Sequence, residues 1–410
     1  MSLHKPAAAA VSALLLFANT TSAESSSVFD PRTLAMGSTG VASGHSTEAA
    51  FMNPALLAVS EDRFSFSLPI GVRLSDSDKL LDAIDDFNNA SPVAALNNAI
   101  DAYLADPSAT TATEVQASGE ELIHQLNRIS NRPLNLEARA GTAVNIPGKK
   151  FGFSVFGNAY TLGGAAALVN GADITAIEDA ISGAALETLI ANPTDALTSR
   201  IDARLAAVTE AGVAIATQVD ALGGLAIGVT PKYMQVRSYD YSFVGSNLDN
   251  AKIKLKNGEH VDSGFNMDFG LAKEWDSGWA AGLAVRNLIA HEYHTVQGNI
   301  IKIKPHARLG ASHHSNWLTL AADIDLTEQD AFGVDNAKSR YAGVGAEFDI
   351  FSMVQLRAGY RHNLSDLPPG HKAGVASVGL GLSFFGVHTD IAVAGNQNDI
   401  TGSAQIGFRY

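Results

Sequence analysis

Fourteen segments of this chain alternate apolar residues with polar or small ones, and the gaps between them alternate as well. In Arg63–Leu74, Phe64, Phe66, Leu68, Ile70, Val72 and Leu74 occupy one face and Arg63, Ser65, Ser67, Pro69, Gly71 and Arg73 the other. Successive side chains of a strand point to opposite sides, so this is a strand with one apolar face. Further segments fall at about Leu134–Ile146, Phe151–Leu168, Val208–Val219, Leu225–Arg237, Phe265–Trp275, Trp279–Leu288 and Ile300–Ala311. The series continues at Trp317–Leu326, Tyr341–Ile350, Val354–His362, Val375–Phe384, Val387–Ala394 and Gly402–Tyr410. Connections after even-numbered segments are short turns such as Pro147–Lys149, Leu222–Gly224 and Asp276–Gly278; those after odd-numbered ones are longer, up to about 59 residues. A soluble sandwich has no reason to sort its loops this way. A transmembrane barrel does, with turns on one side of the membrane and loops on the other. The pattern therefore predicts an all-β fold: a transmembrane antiparallel β-barrel of about fourteen strands, its apolar face toward lipid and the opposite face lining a lumen. It places Pro147–Lys149 and Asp276–Gly278 in the periplasm and the long connections outside the cell.

One closed sheet can absorb a length that would otherwise suggest two or more domains. Residues 1–23 read as a secretory signal peptide: Lys5, then an apolar run from Ala7 to Ala18, then Thr21-Ser22-Ala23 as a small-residue cleavage site. The run is shorter than the roughly 20 residues of a membrane-spanning helix. Removing Lys5 takes the net charge from −14 to −15. So acidic a chain is a poor partner for nucleic acid, whose phosphates need Lys and Arg. With no cysteine there is no disulfide, thiolate metal site or Cys nucleophile.

Between the signal and the first strand, Arg32–Leu57 has neither helical period nor strand alternation, yet it is apolar and needs a surface to bury against. Gly37 and Gly40 allow close approach or unusual backbone angles. Pro54 makes Asn53-Pro54 an extended corner. A barrel lumen would supply the surface, making residues 24–60 a plug and 61–410 the wall. The pairing of Leu34-x-Met36-Gly37-x-x-Gly40-Val41-Ala42 with Asn53-Pro54-Ala55 resembles the N-terminal hatch of the outer-membrane family that includes the FadL long-chain fatty-acid transporter. It is more similar still to the TraF-like conjugal transfer branch, with similarity to the PorV-type barrels of a secretion system. The resemblance implies a bacterial outer-membrane barrel with no cofactor, in which Met36, Gly37, Gly40, Asn53, Pro54 and Ala55 form a plug or gate.

Two long connections carry helical spacing, giving helical insertions at about 75–133 and 170–206. Leu80, Leu81, Ile84 and Phe87, then Leu96, Ile100, Tyr103 and Leu104, recur on one helical face in the first. Ile174, Ile177 and Ile181, then Leu197, Ile201 and Leu205, do so in the second. They either pack together as a cap on the barrel mouth or form a greasy outer groove that first catches a ligand. In the fatty-acid transporter the ligand-catching helices lie in later loops, a departure that bears on substrate.

The lumen parity holds Arg139, Glu210, Lys232, Asp268, Arg286, His306, Arg308, Asp323, Asp325, Glu347, Arg357 and Arg361. Opposite charges on neighbouring strands, such as Arg308 with Asp323 and Glu347 with Arg357, would pair across the interior, as buried charges must. The network is either purely structural or also anchors the plug. The chain ends Ile406-x-Phe408-x-Tyr410, which resembles the terminal aromatic signal read by the barrel-assembly machinery. Catalytic motifs are missing. His291 and His294 are three apart, not the four that place zinc ligands on one helix face, and lie in an expected loop. His313 and His314 point to opposite sides of a strand. Gly37-x-x-Gly40 lacks a following Lys, and there is no G-x-S-x-G elbow. No enzyme and no metal site is expected. Two functions remain: passage of a fatty-acid-like hydrophobic small molecule, gated by the plug, or docking of an envelope partner of a conjugation or secretion machine. An apolar path through the lumen favours the first, a filled polar lumen the second.

Overall fold

The computed structural model describes residues 21–22, 30–76, 79–182, 198–244, 259–296, 300–332, 338–367 and 373–410. The signal-peptide reading falls largely outside them; Thr21 and Ser22 pair with Phe332 and Ala331.

Fourteen strands close into one antiparallel barrel, each paired with its neighbours in the chain. They are β1 (Ser65–Ser75), β2 (Pro133–Ile146), β3 (Gly152–Leu168), β4 (Arg200–Val219), β5 (Leu225–Val244), β6 (Glu259–Glu274) and β7 (Trp279–Arg286). Then come β8 (His306–His314), β9 (Leu318–Asp325), β10 (Tyr341–Ile350), β11 (Val354–Asn363), β12 (Gly374–Phe384), β13 (Val387–Gly395) and β14 (Asp399–Arg409). The seam between β14 and β1 runs from Asp399 opposite Ser75 to Arg409 opposite Ser65. Alternation is preserved around the ring. Leu68, Ile70 and Val72 are exposed on the outer face of β1, while Ser65, Ser67 and Gly71 turn inward and are buried. No described helix is long and apolar enough to cross a membrane; a closed barrel is the architecture that crosses with strands.

The wall is uneven. Strands β3 to β6 have 17, 20, 20 and 16 residues, against 8, 9 and 8 in β7 to β9. A transmembrane strand needs about 9–11 residues. The low side therefore barely spans the hydrocarbon layer, and the tall side rises well above it.

Five expectations change. Ile201 and Leu205, read as helical, lie in β4, where they pair with Phe243 and Tyr239; Leu197 lies outside the described residues. Residues four apart share a face in a helix and in a strand alike, so that spacing does not separate the two. Ile300–Ala311 is not one strand. It breaks at Lys304-Pro305, and Ile300–Ile303 leaves the wall to pair with His291–His294, which is a strand and not a loop. The thirteenth connection, Asn396–Asn398, is as short as the turns at the other end. Finally, Arg32–Leu57 does contain helix, as three short turns: α1 (Pro31–Ala35), α2 (Ser46–Ala49) and α3 (Leu56–Val59). Asp30 caps α1 by accepting from Thr33 N at 2.6 Å, and Pro31 supplies the first helical position.

Helices α4 (Leu80–Ala90), α5 (Pro92–Ala105), α6 (Ala109–Ile129) and α7 (Gly171–Ile181) rise from the long connections. Their apolar faces meet: Leu96, Ile100, Val115, Leu122 and Ile177 are buried together, with Phe87, Tyr103 and Ile181 packed against them. Gly119 of α6 leaves room for Ile181 of α7, whose side chain a Cβ at that position would strike.

Candidate functional site

The site is the lumen, and its lowest occupant is residues 30–59. All of them except Ser43–His45 are buried. The segment touches every strand of the ring: α3 meets β3 to β6, α2 meets β1 and β2, and α1 meets β11 to β14. Val41 lies against β7 and β8 at Gly282 and Gly310. Asp323 of β9 and Gly343 and Gly345 of β10 complete the circle. Glycine is the local reason for the fit. A Cβ at Gly359 would fall on Gly37 N, one at Gly345 on Met36 O, one at Gly228 on Ala55 N, and one at Gly270 on the Asn53 side chain. Side chains on those inward positions would hold the plug off the wall.

Polar contacts fix its register. Arg32 Nε and Nη2 reach Glu347 at 2.9 and 3.0 Å, a bidentate pair, while Nη1 donates to Ser43 O at 2.8 Å. Glu347 also accepts from Arg357 Nε at 2.5 Å, and Arg357 Nη1 donates to Asp390 at 2.6 Å. Asp323 Oδ2 accepts from Gly40 N and Val41 N at 2.8 and 3.1 Å. Arg308 Nη1 donates to Ser38 O at 2.8 Å. Ser377 donates to Ala35 O and accepts from Gly37 N. Asn53 Nδ2 bridges Val41 O and Leu271 O at 2.8 and 3.0 Å, and Asn53 Oδ1 accepts from Ala55 N, making the Asn53-Pro54 corner an Asx turn.

Two sequence assignments shift. Arg308 Nε donates to Asp325, its register partner, at 2.6 Å, and Asp323 is turned to the plug backbone. The left-handed glycine is Gly37, at φ +68°; a side chain on Gly40 would meet Thr33 and Met52 within the plug, while its N–H reaches the wall at Asp323. The sequence reading missed Asp30, Arg32, Ser377 and Asp390, and Glu48, which lies 3.9 Å from Arg32 within the plug. An Asp-Pro ahead of a buried apolar stretch, with Arg32 inside it, was the available signal: a buried guanidinium demands a carboxylate somewhere in the wall.

Above the plug the tall wall is layered. Inward positions of β5 run Ala226, Gly228, Thr230, Lys232, Met234, Val236, Ser238 and Asp240. The lowest pair packs on α3 together with Ala214, Ala216 and Ala272. Next comes an ionic layer. Lys232 Nζ lies 3.0 Å from Asp268 and 3.3 Å from Glu210, with Arg286 at 3.7 Å from Glu210 and 4.0 Å from Asp268. Over it lies an apolar layer of Tyr160, Leu162, Ala206, Val208, Met234 and Val236, covered from inside by Tyr293, Ile301 and Ile303 of the inner strand pair. The Arg139 guanidinium carbon lies over the Tyr160 ring, 4.3 Å from its centre. At the top, Thr295 donates to Asp240 at 2.9 Å. Among the described residues no group of three or more His, Asp or Glu side chains is placed to hold a metal ion.

On the outer surface Phe408 and Tyr410 sit at the closing seam, Phe408 beside Phe64 with ring centres 6.3 Å apart and Tyr410 largely exposed. Tyr410 N donates to Phe64 O at 2.9 Å.

No curated protein sequence matches the chain. Its fold is similar to that of a monoaromatic hydrocarbon channel, a TodX ΔS2S3 mutant (TM-score 0.56, 11% identity, 92% of this chain and 98% of that one). It is also similar to the toluene transporter TbuX of Ralstonia pickettii (0.55, 11% identity, 94% and 99%) and to a Pseudomonas aeruginosa FadL homologue (0.51, 9% identity, 96% and 99%). These likenesses show the fold, that of a FadL-like barrel. A family model matches residues 50–325 of the 410, from within the plug to the end of β9. On that match the chain belongs to the family described as F plasmid transfer operon, TraF, protein.

Proposed function

We propose that this protein is a bacterial outer-membrane channel for hydrophobic small molecules, closed on the periplasmic side by residues 30–59. One observation carries the reading: the apolar layer inside the lumen. Membrane barrels face lipid with apolar residues and line the lumen with polar ones. Tyr160, Leu162, Val208, Met234 and Val236 break that rule on the inward side of three adjacent strands. A hydrophobic ligand would enter from the outer end, lodge there, and leave after Met36–Ala55 shifts. The hydrocarbon and toluene channels of similar fold add to this reading. Uptake of the neutral probe N-phenyl-1-naphthylamine by cells making the protein tests it. Met234→Asp, which spoils the layer, should abolish uptake while heat-modifiable migration stays normal. Uptake equal to that of the unaltered protein would remove the support for transport.

The second reading is docking of an envelope partner of a conjugation or secretion machine. It is favoured by the plug, whose ionic anchoring offers nothing that an apolar ligand could replace, and by the family. Under it a periplasmic partner, not the ligand, releases residues 30–59. In either case the signal peptide directs the chain out of the cytoplasm, and Phe408 and Tyr410 serve the barrel-assembly machinery.

A further inference from the structure

The apolar layer is not empty; part of this chain fills it. His291–His294 and Ile300–Ile303 lie between β7 and β8, where the wall is low, and cross to the inner face of the tall side. Their two faces differ. Toward the wall they present Tyr293, Ile301 and Ile303, all buried; the other face carries Glu292 and Lys302, paired at 3.1 Å. Polar ties sit at the edges of the contact. Asn266 Nδ2 donates to Ile289 O at 2.9 Å, a His291 ring nitrogen lies 3.1 Å from Phe265 O, and Ser238 donates to His294 O at 3.4 Å. Between these edges one aromatic ring and two branched aliphatic chains fill the space.

We infer that Tyr293, Ile301 and Ile303 are a built-in stand-in for ligand, and that the layer takes compact neutral apolar molecules, which enter by displacing this strand pair. The inference rests on the transport reading and adds the ligand class and the competitor. Contacts among apolar groups are non-directional, so a molecule of similar shape replaces them without loss. The ends of the layer set the ligand's charge. Below, Lys232 and Arg286 are committed to Glu210 and Asp268. Above, the buried carboxylate of Asp240 is already engaged, accepting from Thr295 and lying 3.7 Å from Arg204. With Arg139 engaged on the Tyr160 ring as well, an acidic head group would gain a cation only by breaking contacts already made. A neutral molecule leaves them intact.

The test uses the purified full-length protein in detergent and two fluorescent probes: neutral N-phenyl-1-naphthylamine and anionic 1-anilinonaphthalene-8-sulfonate. Tyr293→Ala with Ile301→Ala removes the competitor, so the neutral probe should bind about tenfold more tightly, as when a fraction of closed protein is made competent. Met234→Asp should abolish its binding. If the double variant leaves affinity unchanged while Met234→Asp weakens it, the strand pair is not the competitor and the transport reading survives. If neither variant changes binding, both fail together. Equal affinity for the two probes would overturn the neutral class. Because the chain has no native cysteine, Ile301→Cys gives a readout that tolerates imperfect folding of the double variant. The neutral probe should speed its labelling by a soluble thiol reagent, and an unchanged rate would contradict displacement.

Discussion

Residues 30–59 and the strand pair of His291–His294 with Ile300–Ile303 both lie inside the barrel, but different forces hold them. The plug is tied by directional bonds: Arg32 to Glu347, Gly40 and Val41 to Asp323, Asn53 to Leu271. Its backbone rests on wall glycines. The strand pair is held mainly by Tyr293, Ile301 and Ile303 against the apolar layer. A directional ionic contact can be exchanged only for another of the same geometry and charge; an apolar one can be exchanged for any apolar surface. A hydrophobic molecule alone should therefore displace the strand pair and leave the plug seated. On the proposed transport reading the lumen would have two closures in series, which differ in what opens them.

The largest expected effect comes from removing the space on which the plug rests. Gly359→Val puts its Cβ onto Gly37 N, and because backbone is struck the cost exceeds the about 1–3 kcal/mol of ordinary overpacking. Reconstituted protein should change from closed to conducting for small ions, with heat-modifiable migration kept. Conductance as low as in the unaltered protein would show that the plug does not depend on this contact.

Arg32→Ala comes next. Breaking a buried pair costs about 3–5 kcal/mol, and the lower end applies because Glu347 keeps Arg357. Protease cleavage within 30–59 should rise strongly, with none gained at 291–303. Asn53→Ala leaves Val41 O and Leu271 O without this donor, for about 1–3 kcal/mol. It should loosen the corner and raise amide exchange at Ala55–Leu57, less than Arg32→Ala does. If the two variants act in the reverse order, hydrogen bonding at the corner, and not the ion pair, holds the plug.

The smallest effect lies outside the membrane, in the helical cap. The Asp173 carboxylate of α7 accepts from Thr198 N at 2.9 Å and Ser199 N at 2.5 Å. Burial raises its pKa, but these donors and the Ser199 and Thr198 hydroxyls outweigh that and hold it below the ordinary 3.8. A depressed carboxylate adds stability that is full above its unfolded value and is lost as the pH falls through the folded one. Protection of the Thr198 and Ser199 amides should therefore fade only below about pH 3.8, and Asp173→Asn should lower it at neutral pH. Neither change should reach the plug.

Much of this was legible in the chain because strands write their two faces in alternate residues. The layers on β5 can be read from Ala226 to Asp240 by taking every second residue. What fills the lumen was harder. Arg32 and Glu347 are 315 residues apart, and nothing local to either names the other. Ile201 and Leu205 misled because their spacing suits helix and strand equally. Pro305 stands just ahead of the first residue of β8, but only the pairing of Ile301 with Tyr293 shows the residues before it turning inward. Gly37 and Gly40 looked alike in sequence; one takes a left-handed backbone beside Gly359, and the other offers its N–H to Asp323.

The most direct measurement is amide hydrogen exchange across the whole chain, with and without saturating N-phenyl-1-naphthylamine. Two closures held by different forces predict faster exchange at His291–His294 and Ile300–Ile303 on adding the probe, with Arg32–Leu57 as protected as before. Faster exchange in Arg32–Leu57 with the strand pair unchanged would contradict the account, because the ligand would then be opening the ionically held plug and bypassing the apolar contact built to yield to it.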